Sequence, residues 1–79
     1  MFVLDSHCDT PSQIHRLRDL SLDNEFAHVD FPKLKKGGVD GAFFALYIPA
    51  DLDVEAAREY MRCLLDDVRR TVSDNADKV

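Results

Sequence analysis

An α/β fold built on parallel strands is predicted by three features of this 79-residue sequence. Two apolar runs, residues 2–4 and 39–48, read as buried strands. A helix start and stop signal lies between them, and the intervening stretch is far too long for a hairpin, so a crossover must join a parallel pair. A long amphipathic stretch after the second run then completes an alternation of strand and helix.

Taken in order, Phe2-Val3-Leu4 is short and apolar throughout, the pattern of a strand buried on both faces, with Ser6 as its furthest extent. Pro11 opens a helix at the first helical position, where its missing N–H costs nothing. Ile14, Leu17 and Leu20 follow at a spacing of three, while Gln13, His15, Arg16 and Asp19 fall on the wet side. Residues 21–28 are aperiodic and rich in turn formers, and read as a loop able to carry function. Asp30-Phe31-Pro32 starts a short helix through Lys36, which Gly37-Gly38 ends by allowing positive φ. The run from Val39 to Ile48, closed by Pro49, is the second strand, again expected to be buried on both faces.

Asp51 and Asp53 offer N-caps for the last helix, in which Val54, Ala57, Met61, Leu64, Leu65, Val68 and Val72 keep helical spacing and form a core stripe. Glu55 near its start and Arg69 and Arg70 near its end suit the helix dipole, and Arg62 with Asp66 and Asp66 with Arg70 are spaced for i,i+4 pairs. Beyond Val72 the sequence turns polar and stops at Val79, where an α/β chain would enter its next strand. The expectation is one partial domain over residues 1–79.

With 46% hydrophobic and 32% charged residues, the composition is that of an ordinary globular protein. A formal charge of −5 argues against a nucleic-acid or acidic-membrane partner. The basic cluster Lys33, Lys35 and Lys36 is expected to cap a helix C-terminus rather than bind phosphate. Cys8 and Cys63 carry no framework of spacings, so both read as reduced and the compartment as cytoplasmic, with a bridge between them left open. Residues 1–4 are too short for the apolar core of a signal peptide, and no run reaches membrane-spanning length.

The chemistry centres on Asp5-Ser6-His7-Cys8-Asp9-Thr10-Pro11, at the end of the first strand. Side chains alternate along a strand, so His7 and Asp9 point one way and Cys8 the other. An imidazole nitrogen and a carboxylate oxygen converging on one point suit zinc or a similar divalent metal, though two ligands do not close a site. The residues alone equally admit a plainer reading, with Asp5, Ser6 and Asp9 as turn and capping residues and His7 as a solvated loop histidine. For His28, in the loop, a substrate or metal role stands beside that of a surface histidine.

Three stretches, taken together, resemble the membrane dipeptidase (renal dipeptidase) family of zinc peptidases, among the amidohydrolase-like (β/α)8 barrels. They are Asp5-Ser6-His7-Cys8-Asp9-Thr10-Pro11, then His28-Val29-Asp30-Phe31-Pro32-Lys33-Leu34-Lys35-Lys36-Gly37-Gly38-Val39, then Gly41-Ala42-Phe43-Phe44-Ala45-Leu46-Tyr47-Ile48-Pro49. Their order and spacing match the family's opening segment, about the first fifth to quarter of a barrel of ordinary length. The resemblance thus implies the first β/α units of a TIM barrel.

It also implies that His7 and Asp9 are the first two ligands of a binuclear Zn2+ centre, both on the same metal. Ser6 stands where glycine is common, and Cys8 where asparagine or cysteine occurs, so Cys8 is assigned no chemistry. The bridging carboxylate, two further histidines and the groups for substrate and proton transfer would come from later strands. His15 and His28 lie too early to be that pair. No catalytic or substrate-binding residue is therefore assigned within the chain. The implied reaction is hydrolysis of a dipeptide by a metal-activated water. Expected partners are the dipeptide and the remainder of the barrel or another copy of the chain, giving a homo-oligomer, with no nucleic acid and no membrane. The contrasting reading is a non-catalytic, self-associating α/β fragment with a structural or binding role. A glutamate and two histidines at later strand ends would separate the two.

Overall fold

The computed structural model describes residues 1–16, 19–25 and 27–79, with His15 and Arg16 described by backbone alone. The elements are β1 (Leu4–Cys8), a 3₁₀ segment (Thr10–Arg16), α1 (Phe31–Lys36), β2 (Gly41–Phe44) and α2 (Val54–Asp74). β1 and β2 form a two-stranded parallel sheet, as the crossover argument requires.

Both strands are displaced from their expected bounds. β1 begins at Leu4 and runs on to Cys8, because the residues before it serve the strand's start instead. The Val3 amide donates to Asp40 Oδ2 at 2.8 Å, and the Val3 carbonyl accepts from the amides of Asp40 and Gly41 at 2.8 and 3.2 Å. Asp40 is thereby a cap on the sheet rather than a strand residue, and β2 runs only from Gly41 to Phe44, two residues after its expected start and four short of its expected end at Ile48. Gly41 allows close approach of the strands, since a Cβ there would lie 3.1 Å from Leu4 Cδ1 and press that side chain aside by a few tenths of an ångström.

Burial on both faces is not observed. Phe2 is 72% and Phe43 64% exposed, and Leu4 and Tyr47 are exposed as well. Among the described residues the two strands pair only with each other, so both outer edges and much of each face stay open. The surface of 6033 Å² exceeds the roughly 4,900 Å² expected of a compact monomer of this mass.

The segment after β1 is a 3₁₀ helix rather than an α-helix. Ser12 N–H donates to the Asp9 carbonyl three residues back, at 3.1 Å. The spacing of three among the apolar residues is the 3₁₀ period itself, which eclipses i and i+3. Pro11 and Ile14 are both buried on that line, and Leu20 lies just beyond it. Leu17 falls outside the described residues, as do the side chains of His15 and Arg16. Gln13 and Asp19 are exposed, as expected.

α1 matches its expected limits. Asp30 Oδ1 accepts the Lys33 amide at 2.8 Å as the N-cap, Pro32 lies in the first turn, and Gly38 takes φ 74° just after the C-cap Gly37. Lys35 and Lys36 lie in the last turn, whereas the Lys33 side chain turns back to the helix start instead of capping its end.

α2 spans 21 residues, capped by Asp53, whose Oδ1 accepts the Ala56 amide at 2.8 Å. It packs on the 3₁₀ segment, with Leu64 inside. Among the described residues, Cys8, Pro11, Ile14, Leu20 and Leu64 form the closed apolar core. The expected stripe is only partly covered: Val54, Met61 and Val72 are exposed. An open groove runs between α1, β2 and the C-terminal half of α2, lined by Leu34, Phe44, Val68 and Val72.

The arginines of α2 pair differently from the i,i+4 expectation. Arg62 meets Glu59 at 3.5 Å and Arg70 meets Asp67 at 2.6 Å, both i,i+3. The two geometries compete within a few tenths of a kcal/mol, so sequence spacing does not choose between them. The helix also runs on to Asp74, leaving Arg69 and Arg70 before its last turn, which holds no basic residue. Both cysteines are free thiols, Cys8 buried and Cys63 exposed.

Candidate metal-donor pair at the end of the first strand

The site starts from an irregularity in the sheet. Leu4 pairs with Gly41, Asp5 with Ala42 and Cys8 with Phe44. Two residues of β1, Ser6 and His7, therefore stand against Phe43 alone, which makes a β-bulge. The His7 amide, within the bulge, donates to Asp5 Oδ1 at 3.1 Å.

Beyond the bulge Cys8 turns inward, its Sγ 3.0 Å from Thr10 Oγ1 in a buried contact. His7 and Asp9 turn outward, as alternation across Cys8 demands. Their donor atoms meet: His7 Nε2 lies 3.0 Å from Asp9 Oδ1, with the two side chains 71% and 56% exposed. The pair is pre-assembled and open to solvent. It can accept a cation between a nitrogen and an oxygen donor but does not enclose one. Among the described residues no group of three or more His, Cys, Asp or Glu side chains gathers into a metal site, so His28, exposed in its loop, does not join His7 and Asp9 in one.

A second polar cluster braces the loop that follows. Asp30 is fully buried and accepts the Lys33 amide, the Asn24 amide at 3.0 Å and the Lys33 ammonium. Burial pushes the Asp30 carboxyl up, but the bonds from the Lys33 side chain and amide and from Asn24 outweigh it and hold it below the ordinary aspartate value. The Lys33 ammonium also reaches Asp23 at 2.7 Å and the Asn24 carbonyl. Hydrogen bonds to Asp23, then to Asp30, hold Lys33 above its ordinary value. The Phe31 amide closes the loop on the Leu20 carbonyl at 2.8 Å.

Sequence reading placed His7 and Asp9 on one side of the strand and offered Asp5 as a turn residue, which its bond from the His7 amide bears out; it missed the reach of Lys33. The spacing was the available signal for Asp5: an aspartate two residues before an amide is the Asx-turn arrangement. For Lys33 no local pattern exists, because Asp23 and Asn24 lie in another segment.

Fold and site together define a class: an α/β unit that presents a histidine and an aspartate side by side at the end of its first strand. A family model described as Membrane dipeptidase (Peptidase family M19) matches residues 1–79. The chain belongs to this family, which relates it to dipeptidases and metallopeptidases and suggests a hydrolase. No curated protein and no solved structure matches the chain. Among the described residues no helix is long and apolar enough to cross a membrane.

Proposed function

We propose that this chain supplies the first two metal ligands, His7 and Asp9, of a zinc-dependent dipeptidase, and that it forms the N-terminal part of a (β/α)8 barrel. The observation that carries the reading is the 3.0 Å approach of His7 Nε2 to Asp9 Oδ1 at the C-terminal end of a parallel strand. In barrels of this type that end is where the chemistry sits.

The donor set fits the ion. Nitrogen and oxygen atoms each about 2.0–2.2 Å from one zinc, at angles between 90° and tetrahedral, are roughly 3–3.4 Å apart. The observed separation therefore serves a shared cation as well as it serves a hydrogen bond. When bound, the metal supplies a polarised substrate carbonyl and an activated water for cleavage of the peptide bond.

The residues of this chain have a narrower task. His7 Nε2 gives up any proton it carries and donates a lone pair, while Asp9 adds negative charge beside it. Cys8, turned inward against Thr10, anchors the peptide between the ligands and takes no part in the chemistry. The ligands and proton-transfer groups still needed would come from the remainder of the barrel or from a partner copy.

Intact mass and metal content measured on one purified sample test this. The expected result is zinc retention that His7→Ala and Asp9→Ala each abolish, together with hydrolysis of a dipeptide wherever the full set of ligands is present. Zinc retained by both variants would remove the reading.

A further inference from the structure

We propose that Asp5 is a positioning residue for the donor pair: its carboxylate braces the bulge that sets the face on which His7 and Asp9 stand. The proposal rests on the reading of His7 and Asp9 as metal ligands and goes beyond it by assigning the device that sets their geometry.

The argument begins with register. In a regular parallel pair the ladder from Asp5 and Ala42 would place Cys8 opposite Ala45. Instead Cys8 stands opposite Phe44 and its carbonyl accepts the Ala45 amide at 2.8 Å. One extra residue has been taken up between Asp5 and Cys8. A shift of one residue exchanges the faces of everything beyond it, so the bulge decides that Cys8 is buried and that its neighbours His7 and Asp9 face out.

The His7 amide lies within this bulge, between the paired residues Asp5 and Cys8. Asp5 Oδ1 takes it at 3.1 Å, a bond spanning two residues. The acceptor therefore acts on the backbone of the ligand rather than on its ring. The ring nitrogen is left to Asp9, and the carboxylate of Asp5 is spent on orientation. Outer partners that bond a ligand's ring typically contribute about 10–100-fold to metal affinity, and a brace on the ligand's backbone is expected at the lower end of that range.

Two substitutions separate position from charge. Asp5→Asn keeps the acceptor oxygen at the same reach and discards the charge; Asp5→Glu keeps the charge but carries its oxygens one methylene too far for the turn. Two readouts are taken on the 79-residue chain: amide exchange of His7 without metal, and affinity for Zn2+ alone by calorimetric titration. Positioning predicts that D5N retains His7 protection and zinc affinity within about twofold, while D5E loses protection and about tenfold in affinity. Amides of α2 should be unchanged in both. The reverse order, D5E retained and D5N weakened, would make Asp5 a source of charge and overturn the proposal, as would two variants indistinguishable from the parent. If D5E fails to fold, the His7 amide in D5N decides by itself: protection kept supports the proposal, protection lost overturns it. H7A serves as the control for the underlying reading. If it binds zinc like the parent, the donor pair is not the metal site, while His7 exchange still judges Asp5 as the brace of the bulge.

Discussion

The Asp30 carboxylate, fully buried at the start of α1, is bonded by both the backbone amide and the ammonium of Lys33. One residue thereby caps a helix and, through Lys33 and Asn24, ties down the loop that carries His28.

A pH dependence with a definite sign follows. Asp30 is held below its ordinary value in the folded state, so its contribution is present above the unfolded-state value near pH 4 and is lost as pH falls through the folded one. Asp19, lowered by hydrogen bonds from the Ser21 hydroxyl and amide, acts in the same direction. Lys33 is raised, so its contribution is lost only as pH climbs past the ordinary lysine range near 10.4. Thermal melts between pH 7 and pH 3 should show falling stability below about pH 4. Asp30→Ala should flatten that acid limb and cost about 1–2 kcal/mol at neutral pH, the worth of a good N-cap. An acid limb as steep in D30A as in the parent would contradict this.

Leu64 and Val54 occupy the same apolar stripe of α2 but differ in burial, at 2% and 75% exposed. Leu64→Ala should destabilise by about 2–4 kcal/mol through lost burial and a residual cavity. Val54→Ala should stay within about 0.5 kcal/mol of the parent. Denaturant midpoints at constant m-value check both; equal effects would mean that Val54 is covered in solution.

The chain by itself should not be a monomer. Its surface exceeds that of a compact protein by roughly 1,100 Å², more than the about 800 Å² each partner contributes to a standard interface. Phe2, Leu4, Phe43 and Tyr47 stand exposed beside open strand edges, and the groove over Phe44 and Val72 adds to them. Sedimentation should show species above 9.0 kDa at micromolar concentration; a cooperative, compact monomer would refute this.

The parts legible in the sequence were those written in local chemistry. Asp30, Pro32 and the Gly37-Gly38 pair delimit α1, and Asp53 starts α2, because a cap acts within one turn. The pairing of His7 with Asp9 was legible because alternation across one residue survives the bulge. The bulge itself was not, since register belongs to two strands and Phe43 lies far along the chain. Strand burial was misread for a related reason: an apolar run records which neighbours a strand suits, not which ones these residues can supply.

The parallel pairing of β1 with β2 has one further consequence. It pairs residues as far apart as Leu4 and Gly41, 37 positions along the chain, whereas the helices close on residues three or four apart. Bringing such distant segments together costs chain entropy before any contact rewards it. The donor pair is thus built on a long-range pairing, of the kind that slows folding. Its assembly depends on the crossover having closed, whereas the helices can begin to form from local contacts alone.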